Sequence, residues 1–394
     1  MSAAFQSAIM ATMPALLVCP IAPRLAAGNG LAHRAAVWAL ALGHDVRVAV
    51  VPVSGAALDS PWPTTVIGLP DNTTRLNAGI EMLGRPAWSR FATAVGPLPI
   101  AAGIAPMWLG ERSTALLRDI DVIVCFRSYL LPFVLGLVER SNLSVVCDLD
   151  DDDEQFERDT GWPMEAAAYA RLISYAGPRI ATFTHSTIDP PISAAECRMG
   201  PTWVPNAVDV PDVSGRRPTE GNLAIVANFT YGPNIEGLRW FLQDVWPLIS
   251  GARLHVVGPG SELLGEELPH VTFCGYVADL RAMYSMSAVA LVPLLSGSGT
   301  RIKAIEAMVH GLAVVGTSKG FEGINAQPGV HALIADDHRE FAAHVGRLLN
   351  DSAAAAELGR RGREFVKEHF SLPLVTARMA GLVDSTSAWP GQDR

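Results

Sequence analysis

A lysine, a glutamate and a histidine follow a glycine-rich turn at a spacing that could hold a nucleotide. The turn consists of Gly297, Ser298, Gly299 and Thr300. Lys303, Glu306 and His310 share one face of the helix predicted after it. A glycine-rich turn at a helix start offers backbone N–H groups and the positive end of the helix dipole, which together bind phosphate. Glu306 lies about 9 Å further along the axis, where it would accept hydrogen bonds from the ribose of a bound nucleoside diphosphate.

The residues around this turn decide between two interpretations of the helix. Ile302, Ile305 and Val309 form an apolar stripe beside the polar one, so the packed face determines where Lys303 and Glu306 point. This pattern is also typical of an ordinary amphipathic helix with a surface Lys–Glu pair, which contributes only about 0.2–0.5 kcal/mol. Apolar strand-like runs precede and follow the helix, however, and together they make a parallel βαβ unit. Because such sheets bind ligands at the carboxyl ends of their strands, the flanking runs favour the nucleotide site.

Short sequence motifs in the second half of the chain resemble those of one known family. They are GSGTRIK (297–303), EAM (306–308), VVGTS (314–318), GFEG (320–323), VPNAVD (204–209), NFTYGPN (228–234), VVG (256–258) and GYV (275–277). These segments are similar to motifs of the retaining glycosyltransferases of family 4 (group 1). Ala207 stands where the family's hinge motif has glycine. The resemblance extends from about residue 204 to residue 335 and is weak before residue 200.

This resemblance implies a fold and a reaction. The fold would be α/β, of the GT-B type, with two Rossmann-like parallel-sheet domains facing a cleft. The chain would transfer a sugar, as a hexosyltransferase does, from a UDP- or GDP-type nucleotide diphosphate donor to a glycan, lipid-linked or small-molecule acceptor. Such reactions serve surface polysaccharide, glycolipid or natural-product glycosylation. They would need no cofactor and no metal ion, and they are compatible with peripheral membrane contact.

The resemblance also implies roles for individual residues. Those that would contact the donor are Asn228, Tyr276, Val277, Glu306 and the turn 297–300. Arg301 and Lys303 would stabilise the departing diphosphate. They would replace an Arg/Lys pair that the family carries after the strand ending at Asn228, which is absent from this sequence.

A second glycine turn lies in the first half of the chain. Gly28, Asn29 and Gly30 follow a strand ending near Cys19 and open a helix. The family places such a turn near the donor phosphates or the acceptor, whereas a tight strand–helix connection is the alternative. A dinucleotide-binding dehydrogenase is disfavoured, because His33 stands where the third glycine of its motif would be.

Two departures from the family leave the chemistry open. Ser298 replaces the first glutamate of a Glu-x7-Glu pair whose second member is Glu306, although a subgroup with Gly-Ser-Gly-Thr looks similar. Arg127 follows the strand at 122–126 where many members have a histidine, and it either faces the cleft or is a solvated surface charge. A nucleotide-sugar epimerase or other enzyme acting on the donor alone therefore stays an alternative, as does a catalytically silent nucleotide-sugar-binding protein.

The acidic run DLDDDDE at residues 148–154 has three interpretations. Dense carboxylates are compatible with a metal site, but the run lacks the interspersed glycine of a calcium loop. It follows a strand and leads towards Phe156 and Arg158, which is typical of an acidic helix N-terminus. One carboxylate on the strand side, Asp148 or Asp150, could instead orient an acceptor hydroxyl.

Composition indicates a globular chain of two domains. The 394 residues are 49% hydrophobic and 18% charged, enough for two buried cores. The net charge of −9 argues against nucleic acid as the main partner but not against nucleotides at a local positive site. Five scattered cysteines without a Cys-x-x-Cys pair favour reduced thiols and a cytoplasmic location. A basic n-region and an apolar run of about 18 residues are both missing, so we expect neither a signal peptide nor a membrane span.

Strand and helix patterns alternate along both halves and predict parallel sheets covered by helices. Strands are predicted at 15–19, 46–51, 122–126, 144–149, 180–184, 203–204, 223–228, 254–258, 271–274, 288–294 and 313–317. Helices are predicted at 29–42, 84–95, 128–139, 234–249, 279–286, 300–310, 337–349 and 351–369. A linker is expected at 210–220. We divide the chain into an acceptor-side Rossmann-like domain (1–212), a nucleotide-sugar-binding Rossmann-like domain (213–372) and a terminal segment (373–394) that, as in the family, crosses back to the first domain.

Overall fold

The computed structural model divides the chain into two compact units. The described residues are 13–25, 30–43, 45–52, 60–67, 91, 93–96, 98–99, 115–138, 141–187, 190–214, 219–265, 268–297 and 301–387. The first unit consists of Met1–Pro205 with Val375–Arg394, and the second of Asn206–Leu374. The chain therefore changes unit after residues 205 and 374.

Within the described residues, the first unit is built on seven parallel strands. These are β1 (Ala15–Cys19), β2 (Arg47–Val50), β3 (Thr64–Val66), β4 (Val122–Phe126), β5 (Ser144–Asp150), β6 (Thr182–His185) and β7 (Thr202–Trp203). Its main helices before residue 205 are α1 (Gly30–Leu42), α2 (Leu131–Val138), α3 (Asp153–Asp159) and α4 (Pro163–Ala176). The strand order is β3-β2-β1-β4-β5-β6-β7, so the order reverses between β1 and β4.

The central strands of this sheet are apolar along their whole length. β1 reads Ala-Leu-Leu-Val-Cys and β4 reads Val-Ile-Val-Cys-Phe, and every residue of both is buried. Uninterrupted apolar strands are typical of parallel sheets covered on both faces. Leu16 lies opposite Arg47 on one side and Ile123 on the other, which brings the carboxyl ends of these strands to one edge.

The second unit contains a second parallel sheet, of six strands in its described part. These are β8 (Asn222–Val226), β9 (Arg253–Val257), β10 (Val271–Gly275), β11 (Val289–Val292), β12 (Ala313–Gly316) and β13 (Leu333–Ile334). Its helices are α5 (Gly232–Trp240), α6 (Leu280–Met286), α7 (Ile302–Val309), α8 (His338–Asn350) and α9 (Ser352–Phe370). The last helix, α10 (Leu372–Ser387), begins in this unit and continues into the first. The strand order is β10-β9-β8-β11-β12-β13.

The predicted alternation of strands and helices in two parallel sheets is confirmed. The helix expected at 234–249 is three segments, since α5 continues as a π-helical turn (Phe241–Val245) and a 3-10 turn (Trp246–Leu248). β3, α4 and β13 were not predicted, and the two strands are too short to show a periodic pattern. The helix expected at 84–95 lies mostly outside the described residues.

All five cysteines are described, and all are free thiols. Cys125 and Cys147 lie opposite each other in β4 and β5. Burial raises the pKa of the Cys19 and Cys147 thiols, so both behave as small apolar groups in the sheet. Among the described helices, none has the length and apolar character needed to cross a membrane.

Gly258 lets the loops after β8 and β9 approach each other closely. It has φ +134°, and a Cβ there would lie 1.8 Å from the Ala227 carbonyl oxygen. We expect Gly258→Ala to lower the free energy of unfolding by about 2–3 kcal/mol, because alanine adds both a clash and an unfavourable backbone conformation. Urea denaturation measures this loss. Gly251→Ala is the matched control, with φ +71° and no described atom within 4 Å of the added Cβ. It should lose only about 1 kcal/mol, and equal losses in the two variants would contradict the close approach.

Candidate functional site

The predicted nucleotide residues lie at the carboxyl edge of the second sheet. The strand order reverses between β8 and β11, the position at which open α/β sheets bind ligands. The loop after β8 carries Asn228, and the loop after β11 carries Gly297 and leads into α7. Because β8, β11 and β12 are neighbours, the loops that follow them lie side by side.

Helix α7 positions Lys303 and Glu306 by burying its other face. Its buried residues are Ala304, Ile305, Ala307, Met308 and Val309. Lys303 and Glu306 lie one turn apart on the remaining face and are half-buried. This differs from an exposed surface pair, since both charges are partly removed from water.

The Lys303 ammonium belongs to a chain of hydrogen bonds that ends on the loop after β8. It donates to the side-chain oxygen of Asn234 in α5, whose amide nitrogen donates to the Asn228 carbonyl at 2.6 Å. Burial and the charge of Arg301 lower the Lys303 pKa to about 7, against an opposing effect of Glu306. Near neutral pH the ammonium therefore loses its proton easily, and an anion bound beside it would restore the charge.

Glu306 is a half-buried carboxylate. Burial raises its pKa to about 7, and the charge of Lys303 offsets this only in part. No described residue donates a hydrogen bond to either carboxylate oxygen. Burial and the charge of Glu306 also raise the pKa of the Tyr284 phenol, whose ring lies 4.7 Å from that of His310. Hydroxyl groups of a ligand would give Glu306 the donors that the described protein does not provide.

His310, the third member of the polar stripe, closes the helix. Its Nδ1 lies 2.7 Å from the Glu306 backbone carbonyl. Burial lowers its pKa, so the ring is neutral at physiological pH. His310 therefore packs behind Glu306 and is not a cation for phosphate.

Arg301 joins the loops after β11 and β12. Its buried side chain donates to the carbonyls of Gly297 and Lys319, both at 2.8 Å, and pairs with Glu322 at 2.7 Å. Lys319 pairs with the other oxygen of Glu322 at 2.9 Å. The guanidinium thus holds the end of the glycine turn in place, which is a role in positioning that the sequence did not indicate.

The other predicted donor residues line the same edge where they are described. Asn228 accepts hydrogen bonds from the Thr230 backbone N–H (3.0 Å) and hydroxyl (2.8 Å), which makes a tight turn after β8. Gly297 has φ +103°, with Pro233 and Tyr231 close to where a Cβ would be. The residues that follow β10 are Tyr276, which is exposed, and Val277, which is half-buried. The predicted residues outside the described part are Gly28, Asn29, Ser298, Gly299 and Thr300. Gly30 is the first residue of α1.

In the first unit, Asp148 is an internal counter-ion. It is fully buried, and its oxygens accept hydrogen bonds from Arg34 (2.7 and 3.0 Å), from the Trp38 indole and from the Asp150 backbone N–H (3.0 Å). Burial raises its pKa, but the Arg34 charge and these bonds lower it overall. The expectation that Asp148 orients an acceptor hydroxyl therefore needs correction, because its oxygens are already occupied inside the protein.

Arg127 and Asp150 lie at the ends of β4 and β5 and are also buried. Arg127 Nη1 is 3.4 Å from Asp150 Oδ2, and its Nη2 pairs with Asp153. Burial and the charge of Asp151 raise the pKa of Asp150 to about 7, despite Arg34 and Arg127 nearby. Arg127 is therefore not the solvated surface charge that was one reading of the sequence.

The acidic run continues into the start of α3. Asp152 caps this helix by accepting a 2.9 Å hydrogen bond from the Gln155 backbone N–H, as the sequence pattern predicts. Asp153 and Glu154 occupy its first turn, where carboxylates interact favourably with the helix dipole. Within the described ranges, no group of three or more His, Cys, Asp or Glu side chains is arranged to hold a metal ion.

Several residues at the edges of the two sheets had no role assigned to them from the sequence. They are Arg34, Trp38, Asn234, Tyr284 and Glu322. Arg34 carried a signal of its own, since it is the one arginine in an alanine-rich helix whose other residues are mainly apolar. A charge in such a helix needs a buried partner. Asn234 and Glu322 lie in the motifs at 228–234 and 320–323, which gave them no individual role.

The comparisons with known proteins agree with this geometry. Residues 220–351 match the family described as Glycosyl transferases group 1. An uncharacterized 44.6 kDa protein in the cps region of Klebsiella pneumoniae is 26% identical over 164 residues, or 38% of this chain and 42% of that protein. This chain therefore matches less than half the length of that relative.

Solved structures resemble nearly the whole chain. Sucrose-phosphate synthase from Thermosynechococcus elongatus gives a TM-score of 0.65 at 16% identity, over 95% of this chain and 99% of that one. Anabaena HepE in complex with UDP-glucose gives 0.64 at 13% identity, over 94% and 99%. Trehalose 6-phosphate synthase from Burkholderia multivorans gives 0.63 at 13% identity, over 95% and 99%. Structural similarity at such low identity shows the fold alone, and the chain therefore has the GT-B fold, with a match to the group 1 glycosyl transferases at residues 220–351.

Proposed function

We propose that the protein is a retaining glycosyltransferase that uses a nucleotide diphosphate sugar of the UDP or GDP type. The observation that carries the proposal is the half-buried pair of Lys303 and Glu306 on α7, at the carboxyl edge of the second sheet. Burial moves both pKa values to about 7, in opposite directions. A diphosphate beside Lys303 and ribose hydroxyls beside Glu306 would stabilise the charged form of each.

Each residue has a distinct part in this proposal. Lys303 neutralises charge that develops on the departing diphosphate, together with the backbone N–H groups of the turn 297–300. Glu306 fixes the ribose, and with it the register of the donor along α7. Arg301, tied to Glu322 and to two carbonyls, keeps the turn in place and adds positive charge beside it.

We further propose that these protein cations, and not a bound divalent ion, stabilise the leaving group. Lys303 and Arg301 already provide positive charge at the turn, so a metal ion would be redundant for that purpose. The UDP-glucose complex of HepE supports UDP-glucose as the first probe of the donor site. A reduced compartment, the cytoplasm, is the location that the five free thiols support.

Proton exchange on binding tests this donor site directly. At pH 8 the free Lys303 is mostly neutral, so binding should take up as much as about one proton; at pH 6 the free Glu306 is mostly protonated, so binding should release a proton. UDP-glucose suits the test because its phosphates are diesters, which lack the second ionisation near pH 6. Calorimetric titration in buffers of different ionisation enthalpy measures how many protons are taken up or released on binding at each pH.

The Lys303→Met variant tests whether Lys303 is the group that takes up the proton at pH 8. It should lose the uptake at pH 8 and keep the release at pH 6. If the wild-type protein bound UDP-glucose with no proton exchange at either pH, Lys303 and Glu306 would not be the groups that contact the donor.

A further inference from the structure

A groove in the second unit runs along the outer face of α5, and we name it the α5 groove. Its volume is about 430 Å³, which is within the range of pockets that bind small molecules. One wall is α5 with the π-helical turn that continues it, and the other is Leu295 in the loop after β11. Neither Lys303 nor Glu306 lines it, so the groove is separate from the proposed donor site.

Trp240 lies in the middle of the α5 groove, with polar side chains around it. Glu236 precedes it by four residues and Asp244 follows it by four, so one carboxylate lies a turn away on each side. Arg239 and Gln243 lie beside this row and also line the groove. The lining extends roughly 12 Å along the helix axis from Glu236 to Asp244, which is longer than a single sugar ring.

The polar groups of the groove are available to a ligand. Arg239, Gln243 and Asp244 are exposed, and none of their side chains has an ion-pair or hydrogen-bond partner in the part of the chain that the structure describes. The exposed arginines of α9 behave differently, since Arg360 and Arg361 both pair with glutamates on their own helix. The α5 face therefore differs from an ordinary charged helix surface, in which neighbouring side chains pair with each other.

Apolar surface is exposed in the same groove. Leu295 is 41% exposed, and Ile235 and Trp240 are half-buried. The Trp240 ring packs edge-on against Phe341, with ring centroids 5.6 Å apart, so the indole is held in place before any ligand binds. The residues that follow it, Phe241–Val245, form a π-helical turn, a rare feature that is frequent at functional sites. The groove thus combines a fixed aromatic ring with unpaired donors and acceptors.

This combination selects the kind of ligand. The two carboxylates of Glu236 and Asp244 and the one guanidinium of Arg239 leave a single negative charge, which repels phosphate and carboxylate groups. The guanidinium in turn opposes a cation bound at Trp240. A sugar ring carries no charge, has apolar C–H faces that pack on an aromatic ring, and has hydroxyls that both donate and accept hydrogen bonds.

We propose that the α5 groove binds a neutral oligosaccharide. The apolar face of one sugar ring packs on Trp240 and Leu295, while hydroxyl groups bond to Arg239, Gln243 and Asp244. The site goes beyond the proposed function, because transfer from a donor held on α7 does not require it. In a glycosyltransferase it would keep a glycan chain on the enzyme and raise the local concentration of its reacting end.

Saturation-transfer NMR on the full chain tests the proposal with five trisaccharides. Maltotriose, cellotriose and α-1,6-mannotriose are neutral, trigalacturonic acid is anionic, and the trimer of glucosamine is cationic. We expect at least one neutral trisaccharide to bind, and to bind more tightly than either charged one. Arg239→Ala and Gln243→Ala should each weaken this binding by about 5- to 10-fold, since each removes a hydrogen-bond donor. Both side chains are exposed and unpaired, so both variants should fold normally.

Matched variants and a second ligand keep the outcomes separate. Arg347→Ala and Gln327→Ala make the same changes at exposed positions outside the groove and should bind the trisaccharide normally. UDP-glucose binding should be unchanged in Arg239→Ala and Gln243→Ala. A wild-type protein that bound a neutral trisaccharide but not UDP-glucose would overturn only the proposed function. Unchanged trisaccharide binding in either groove variant, tighter binding of a charged trisaccharide, or no binding of any neutral one would overturn the glycan site.

Discussion

Glu306→Ala is expected to bind UDP-glucose about 2–4 kcal/mol more weakly than the wild type, which is a loss of roughly 30- to 900-fold. The carboxylate can accept two charge-assisted hydrogen bonds from ribose hydroxyls, and alanine accepts none. No described donor pairs with this carboxylate in the protein itself. Its removal should therefore leave the fold intact, because the buried face of α7 is unchanged. Calorimetric titration measures the affinity, and urea denaturation measures the stability.

Two companion variants separate the charge of Glu306 from its shape. Glu306→Gln keeps one acceptor oxygen without the charge and should lie between alanine and the wild type. Glu368→Ala removes an exposed glutamate from α9 and should bind UDP-glucose normally. Unchanged affinity in a folded Glu306→Ala protein would remove the ribose assignment.

Lys303→Met is expected to slow sugar transfer by about 100- to 1000-fold, the range found when one group that stabilises developing charge is removed. Methionine matches the length and apolar stem of lysine but cannot neutralise the departing diphosphate. The free energy of unfolding should change by no more than about 1 kcal/mol. The variant loses the bond to Asn234, but it no longer buries an ammonium group whose pKa is depressed to about 7. Initial rates at saturating donor give the effect on transfer.

The matched control for this variant is Lys367→Met, which makes the same change at an exposed position of α9. It should transfer at the wild-type rate. A Lys303→Met protein that is equally active at saturating donor would show that another cation stabilises the leaving group. Arg301, already held beside the glycine turn, would then be the first candidate.

Short-range sequence patterns predicted those strands and helices whose burial depends on residues near one another in the chain. The apolar runs of β1, β4 and β11 mark buried parallel strands because both faces of each strand are covered. The apolar stripe of α7 placed Lys303 and Glu306 on one face, because 3.6 residues per turn fix that geometry. Motifs that resemble those of one family then indicated that this helix binds a nucleotide sugar.

Long-range pairing explains what the sequence did not indicate. Arg34 and Asp148 are 114 residues apart and meet only when α1 packs beside β5, so no local pattern could show that Asp148 is already paired. Arg301 meets Glu322 in the same way, across the loops after two adjacent strands. Asp150 differs from Asp148 through its backbone conformation, which a run of five acidic residues does not reveal.

Sugar transfer from a nucleotide diphosphate donor is tested most directly by a ¹H NMR time course. The protein is incubated with UDP-glucose or GDP-mannose, methyl glycosides as acceptors, and an excess of chelator. We expect release of the nucleoside diphosphate and a new glycosidic signal with the anomeric configuration of the donor. A donor that binds but is never consumed would contradict it and favour a silent binding protein. A sugar that changes stereochemistry while still attached to its nucleotide would contradict it equally and favour an epimerase.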